Sequence, residues 1–331
     1  MTDAPTHGRP LRAGVFGIGS LGYHHTRLLA ALPGAELVGI HDPNPEAAKR
    51  AEDHGARIFE DPAELAAELE VAVVAAPTIH HADLGVPLLE RGVHCLVEKP
   101  IAPDLAEADR LLEAAEKGGA VLGVGHVEFY NPAVQTLLGA GVTARFVEVQ
   151  RLAQFTPRSL DVDVVKDLMI HDLQILHALD PSPLAEVRAT GIEVLSHRVD
   201  IANARLAFES GCVANVTASR VSSERVRKLR VFSPESYYSL DYQEQEIKGY
   251  RLAAEGGAGD SDAPPVVEVG GRAILQADLT VEPREPLRGE LEAFLARCRG
   301  ETTGPGALFV DGTEGRRALA TALAVMDAIS G

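Results

Sequence analysis

Cysteine is scarce in this chain. Only Cys95, Cys212 and Cys298 occur in 331 residues. They are far apart and odd in number, so they form neither a disulfide framework nor a zinc motif. That usage fits a reducing compartment, and the cytoplasm is the expected location. Long apolar runs are missing too. No stretch approaches the length of a transmembrane helix, and the opening MTDAPTHGRP lacks the apolar core of a signal peptide. Residues 1–10 read as a short disordered tail. Positive charge is in deficit, with 31 Lys and Arg against 48 Asp and Glu and a net charge of −17. This argues against nucleic acid and anionic membrane surfaces as partners. An anionic small ligand stays open, because local cations can line a cleft.

What is present is ordinary for a globular protein: 46% apolar and 24% charged residues. The length supports two domains with a sizeable core. The organising stretch is Ala13 to Pro45. An apolar run, Ala13 to Phe16, leads into Gly17-Ile18-Gly19-Ser20-Leu21-Gly22. Leu21, His25, Leu28, Leu29 and Leu32 follow at helical spacing, and Pro33-Gly34 ends that helix. A second apolar run, Leu37 to Ile40, ends at Asp42. Gly17 permits the tight turn, Gly19 leaves room for a pyrophosphate, and Gly22 lets helix and strand pack closely. The N–H groups at the helix start face the diphosphate. Asp42 stands twenty residues past Gly22, where a carboxylate accepts from an adenosine ribose. It would repel a 2′-phosphate, and no arginine follows directly, so NAD is favoured over NADP. A glycine turn alone also occurs in flavin and S-adenosylmethionine sites. The strand before, the helix after and the spaced acid together point to a dinucleotide.

Apolar runs then alternate with amphipathic stretches as far as residue 126. Helices are predicted over Pro45–His54, from Asp61-Pro62, around Leu84–Leu89 and over Leu105–Lys117. Strands are predicted over Arg57–Phe59, Val71–Ala76, His94–Val97 and Val121–Gly125. This is a doubly wound parallel sheet. Gly17, Asp42, Pro77, Lys99 and His126 fall at its strand ends, where ligands bind. The rest changes character. Helices Pro132–Leu138 and Val164–Leu179 flank strand Arg145–Leu152. Strands follow at Ala185–Leu195, Ile201–Phe208, Cys212–Val221, Lys228–Phe232, Tyr237–Tyr242 and Gln245–Leu252, with a hairpin turn at Glu209-Ser210-Gly211. Ala253–Pro265 reads as mobile, and helices at Pro286–Arg299 and Thr313–Ile329 close the chain. The fold class is α/β. Residues 11–126 form the dinucleotide-binding domain. Residues 127–331 form a second α/β domain with a mostly antiparallel open sheet.

Few side chains can do chemistry. Lys99 lies between a strand end and Pro100, where an ammonium could stabilise a developing alkoxide; it could equally be a surface lysine paired with Glu98. Asp167 and His171 are four apart on a helix. The pair could form an oriented base, or a half-buried histidine satisfied by its carboxylate. Arg151, Arg158 and Lys166 could receive an anionic substrate, or be solvated charges. The pairs His24-His25 and His80-His81 do not point together, and no ligand spacing is present, so no metal is expected.

The chain resembles the Gfo/Idh/MocA oxidoreductases. The likeness rests on GIGSLG at 17–22, Asp42, an Ala-Pro followed by His81, Glu98-Lys99-Pro100, DLMIH at 167–171 and PLRGELEAF at 286–294. It implies a Rossmann domain, hydride transfer between a sugar carbinol and nicotinamide, and a homodimer or homotetramer. The implied cofactor-binding set is Gly17, Gly19, Ser20, Leu21, Gly22, Asp42, Pro77, His81, Glu98 and Lys99. The implied catalytic set is Lys99, His171 and Asp167. GHVEFYNP at 125–132 and DVDVVKDLMIHD at 161–172 are most similar to the nucleotide-sugar branch, so a UDP-sugar is the expected substrate. The alternatives are a free sugar or inositol dehydrogenase, and a non-catalytic NAD(P)-binding regulator.

Overall fold

The computed structural model describes residues 8–155, 162–253, 266–270 and 272–331. The chain divides into two compact units: residues through Val127 with Glu285–Leu319, and Glu128–Arg284 with Ala320–Gly331.

Among the described residues the first unit holds six strands: β1 (Leu11–Phe16), β2 (Ala35–His41), β3 (Arg57–Ile58), β4 (Val71–Val74), β5 (His94–Glu98) and β6 (Leu122–Gly125). Their order is β3-β2-β1-β4-β5-β6, and every pair is parallel. Helices α1 (Ser20–Ala31), α2 (Pro45–Lys49), α3 (Pro62–Ala66), α4 (His81–Glu90) and α5 (Leu105–Gly118) connect them. The order reverses between β1 and β4, which makes the ends of those strands the switch point where ligands bind. Strand β4 is buried along its whole length, as its unbroken apolar run requires. Asp61 caps α3, its side chain accepting from the Ala63 N–H with Pro62 at the first helical position. The predicted helix Pro45–His54 is shorter than expected. It stops at Lys49, a 3₁₀ turn covers Glu52–His54, and Gly55 then takes a left-handed φ of 76°.

Val15, Ile40 and Val73 of the sheet form a core with Leu28 and Leu29 of α1. Leu291, Phe294 and Leu295 of a late helix, α8 (Pro286–Cys298), join the same core. Each such side chain contributes about 1.5–3 kcal/mol on burial. This explains a departure from the linear division at residue 126. Glu285–Leu319 belongs to the first unit because the apolar stripe of α8 is spent on that sheet.

Among the described residues the second unit is built on nine strands: β7 (Phe146–Leu152), β8 (Leu184–Ile192), β9 (Ile201–Phe208), β10 (Val213–Ser219), β11 (Val226–Phe232), β12 (Ser236–Asp241), β13 (Glu246–Leu252), β14 (Val267–Val269) and β15 (Arg272–Gln276). The order is β14-β15-β13-β12-β11-β7-β10-β9-β8. Among the described residues only the β7–β10 pair is parallel; the others are antiparallel. Alternation sets the faces. Val147, Val149 and Arg151 of β7 are buried, while Phe146, Glu148, Gln150 and Leu152 are more open. Helices α6 (Pro132–Gly139) and α7 (Ile170–Leu179) also belong to this unit. The final helix, α9 (Gly312–Ser330), is divided at Leu319 between the two units.

Three expectations change here. The strand expected over Ala185–Leu195 ends at Ile192, because the N–H groups of Val194, Leu195 and Ser196 all donate to Asp200 Oδ2. The strand expected from Gln245 begins at Glu246, since Gln245 has a left-handed φ of 53°. The β14–β15 hairpin was not anticipated at all. Residues 254–265, read as mobile, and Arg158 lie outside the described residues, as do residues 1–7 of the tail. The Glu209-Ser210-Gly211 turn is present, with Gly211 at φ 86°.

The predicted helix over Val164–Leu179 is two pieces. Val165–Met169 is a π-turn, and α7 proper begins at Ile170. Asp163 anchors the start, accepting from the Lys166 N–H at 2.8 Å. Arg220 braces the approach. Its guanidinium donates to the Val162 carbonyl at 2.7 Å and to Asp200 Oδ1 at 2.8 Å. Asp200 is fully buried, and its many donors hold its carboxyl below the usual range although burial opposes this. Such π-turns recur at functional sites. Here the turn carries Asp167 and ends two residues before His171.

Candidate active site

The glycine loop grows directly out of β1. Gly17 takes φ 87°, and a Cβ there would lie 2.6 Å from the Ala76 nitrogen. A Cβ on Gly22 would sit 1.9 Å from the Gly17 carbonyl oxygen. Both positions therefore exclude any side chain. Gly19 differs. A Cβ there meets nothing within 4 Å, and Gly19, Ser20 and Leu21 are exposed. Gly19 is the N-cap of α1 and supplies no side-chain acceptor. The N–H groups of that first turn are thus offered outward, an arrangement that fits an anion.

Asp42 does two things at once. Its Oδ2 accepts the Ile18 N–H at 2.6 Å, and its Oδ1 accepts the Asn44 N–H at 2.8 Å. The carboxylate holds the glycine loop while staying half-buried beside it. Arg50 was not anticipated. It donates to the Ile18 carbonyl at 2.9 Å from just past α2. Nothing in the local sequence marks it, because it lies eight residues beyond Asp42. These features fit a dinucleotide: an open glycine loop, a helix start without a side-chain cap and a carboxylate at the end of β2.

Pro77 is exposed three residues past β4. His81 opens α4 and is buried. Its Nε2 faces the Ala76 carbonyl at 2.9 Å, and its Nδ1 faces the Pro100 and Ile101 carbonyls at 3.1 and 3.2 Å. Burial lowers its proton affinity, opposed by those carbonyls. The ring is thus spent on the backbone, tying the Pro77 turn to the Lys99-Pro100 turn. Glu98 is also turned inward. Its Oε1 meets His25 Nε2 at 2.7 Å and its Oε2 accepts the Lys99 N–H at 3.2 Å. Lys99 itself is half-buried at the end of β5, and its bond to Pro100 is cis. His126 follows β6 and is fully buried. Burial, and then the charge of Lys99, push it down to about 3.

In the second unit Asp167 is half-buried on the π-turn and His171 is buried in the first turn of α7. The next residue is better defined than expected. Asp172 accepts two bonds from Arg151, at 2.6 and 2.8 Å, and one from the Tyr242 hydroxyl at 3.1 Å. Arg151 also reaches Glu128 at 2.9 Å, as does Arg227. Burial opposes the Arg151 charge, yet the Asp172 and Glu128 carboxylates hold it well above its ordinary range. This overturns Arg151 as a receiver of an anionic substrate. Its position on the covered face of β7 delivers it to two buried carboxylates, and it braces the helix beside His171. Lys166 pairs with Asp163 at 3.3 Å.

The comparisons with known proteins agree with this geometry. Residues 11–126 match the family model described as an oxidoreductase family with an NAD-binding Rossmann fold. The UDP-N-acetylglucosamine 3-dehydrogenase of Acidithiobacillus ferrooxidans is 38% identical over 321 residues, covering 96% of this chain and 97% of that one. Its solved structure superposes with a TM-score of 0.84 at 35% identity, over 97% of this chain and 98% of that one. A myo-inositol dehydrogenase of Streptomyces leeuwenhoekii is 29% identical over 88% of this chain and 90% of its own. With the glycine loop, Asp42 and the parallel sheet, these matches make the chain an NAD-dependent oxidoreductase with a Rossmann unit and a second, mostly antiparallel unit. More particularly, the chain belongs to the Gfo/Idh/MocA oxidoreductase family.

Gly19→Ala separates folding from binding. The backbone there, at φ −68°, accepts alanine and the Cβ enters open space. The variant is expected to melt like the parent, while its NAD affinity falls about tenfold or more, since a methyl occupies the approach of the pyrophosphate. Calorimetric titration checks this. Unchanged affinity would place the diphosphate elsewhere.

Proposed function

We propose that the protein oxidises a secondary hydroxyl of a UDP-sugar to a ketone. The full-length likeness to a UDP-N-acetylglucosamine 3-dehydrogenase is the observation that carries the reading. Gly17, Gly19, Ser20, Leu21, Gly22, Asp42 and Pro77 would hold the dinucleotide, with His81 and Glu98 setting the turns around it. NAD, when bound, supplies the hydride acceptor. Lys99 binds the substrate oxygen and stabilises its developing negative charge. His171 removes the hydroxyl proton, and Asp167 orients its imidazole. The buried Arg151–Asp172 pair supports this assignment by fixing the start of α7.

NADH formation against nucleotide sugars, free sugars and inositols tests the reading. Turnover that requires the UDP moiety supports it. Turnover with free inositol would move the substrate class to that of the myo-inositol relative. Tight NAD binding without turnover on any of them would favour a regulator.

We place the protein in the cytoplasm as a homodimer or homotetramer, with neither nucleic acid nor membrane as partner. Three free cysteines support a reducing compartment, and cell fractionation tests it. Among the described residues no helix is long and apolar enough to cross a membrane. The more open face of the nine-stranded sheet supports self-association. Phe146, Phe232, Tyr237 and Tyr250 form a half-buried aromatic row across it, with successive centroids 4.9 to 6.2 Å apart. Light scattering that gives a monomer at micromolar concentration would remove this assignment.

A further inference from the structure

Three buried side chains of the first unit meet at the end of β5. His25 comes from α1, Glu98 from β5 and Glu290 from α8. They are 0%, 6% and 0% exposed. One ligating atom from each lies within 4.8 Å of the others. His25 and Glu98 are joined at 2.7 Å. Neither oxygen of Glu290 meets a hydrogen-bond donor among the described residues. An ionised carboxylate cannot sit there, fully buried, beside a second carboxylate and without a donor. A neutral acid can, because it brings its own donor and faces a ready acceptor.

We propose that Glu290 is a positioning residue for Lys99: it keeps a proton, directs it to the Glu98 carboxylate, and thereby fixes the group that grips the Lys99 N–H. Glu98 then has a defined set of partners. His25 Nε2–H donates to Oε1, the Lys99 N–H donates to Oε2 at 3.2 Å, and the Glu290 acid takes a remaining lone pair, directly or through one water. Gly125 leaves the space for this. A Cβ there would come within 2.9 Å of the Glu98 carboxyl carbon. Burial and the Glu98 charge both push the Glu290 carboxyl well above its ordinary range, in the same direction. A cation is the other occupant such a triad suggests. The 2.7 Å contact speaks against it. Two ligands around a tetrahedral zinc stand roughly 3.3 Å apart, and these two atoms are already at hydrogen-bond distance.

The inference rests on Lys99 as the residue that meets the substrate oxygen, and its test does not depend on turnover alone. Glu290→Gln keeps a neutral donor in the same shape, whereas Glu290→Met fills the space without one. In the full-length protein at neutral pH, the infrared spectrum is expected to show a protonated-carboxyl band that Glu290→Gln lacks. Hydrogen exchange of the Lys99 amide is expected to quicken in Glu290→Met and to stay as in the parent in Glu290→Gln. Where a sugar substrate is oxidised, kcat is expected to fall about tenfold in Glu290→Met, with KM for NAD unchanged and the glutamine variant close to the parent. Absence of the band overturns the proposal. So does parental exchange in the methionine variant, which would reduce Glu290 to packing. A stoichiometric metal lost from Glu290→Gln would also overturn it and make the triad a cation site. Failure of every sugar to react would remove the functional reading and leave the band and the exchange rates to decide the proton.

Discussion

His171→Ala is expected to lower kcat by about 10²–10⁴-fold, the usual contribution of a positioned general base. The expectation follows from placement as well as residue type. His171 is buried in the first turn of α7, next to an aspartate clamped by Arg151 and Tyr242. A histidine held by such a neighbour loses little freedom when it acts, so its removal costs a preorganised group. Substrate and NAD affinity should change little, because the proton moves only in the reaction. Added imidazole should restore part of kcat in the alanine variant, since a small base can enter the space left by the ring. Steady-state kinetics with and without imidazole check both points. A loss confined to KM would make His171 a binding residue, and parental kcat would remove it from the chemistry.

The same region shows where sequence reasoning stops. The glycine loop, Asp42 and Lys99 were legible because strand ends, glycines and a proline mark them within a few residues. Local periodicity found α1, and Asp61-Pro62 marked the start of α3, for the same reason. Partners in space leave no such mark. Arg151 read as a free cation because its carboxylates stand 23 residues earlier and 21 later. The strand after residue 184 read too long because Asp200 had not yet been seen to collect three amides. The π-turn at Val165–Met169 adds a residue to one helical turn without changing the apolar pattern. Helix α8 was legible as a helix. Its membership of the first unit was not, because an apolar stripe says that a face is covered without saying by which sheet.

Lys99→Met is expected to cost about 10²–10³ in kcat, or about 2.7–4 kcal/mol, the scale of one good donor to a developing oxyanion. Methionine keeps most of the side-chain length and removes only the charge and the donors. The fold should tolerate it, because the Lys99 contact to Glu98 is made by the backbone N–H, which methionine retains. His126, whose charge could answer the loss, does not replace it. His126 is buried, and that burial ahead of the Lys99 charge holds it down at about 3. Removing the ammonium relieves the smaller cause and leaves the larger, so His126 stays neutral near pH 7. Lys99→Arg is the informative companion. It restores the charge, but a planar fork replaces a compact ammonium. If charge alone stabilises the oxygen, arginine recovers much of kcat. If the ammonium must sit at one point at the end of β5, arginine stays near the methionine level. Single-turnover measurement of NADH formation with both variants decides between the two, and parental rates in both would return Lys99 to the surface lysine paired with Glu98.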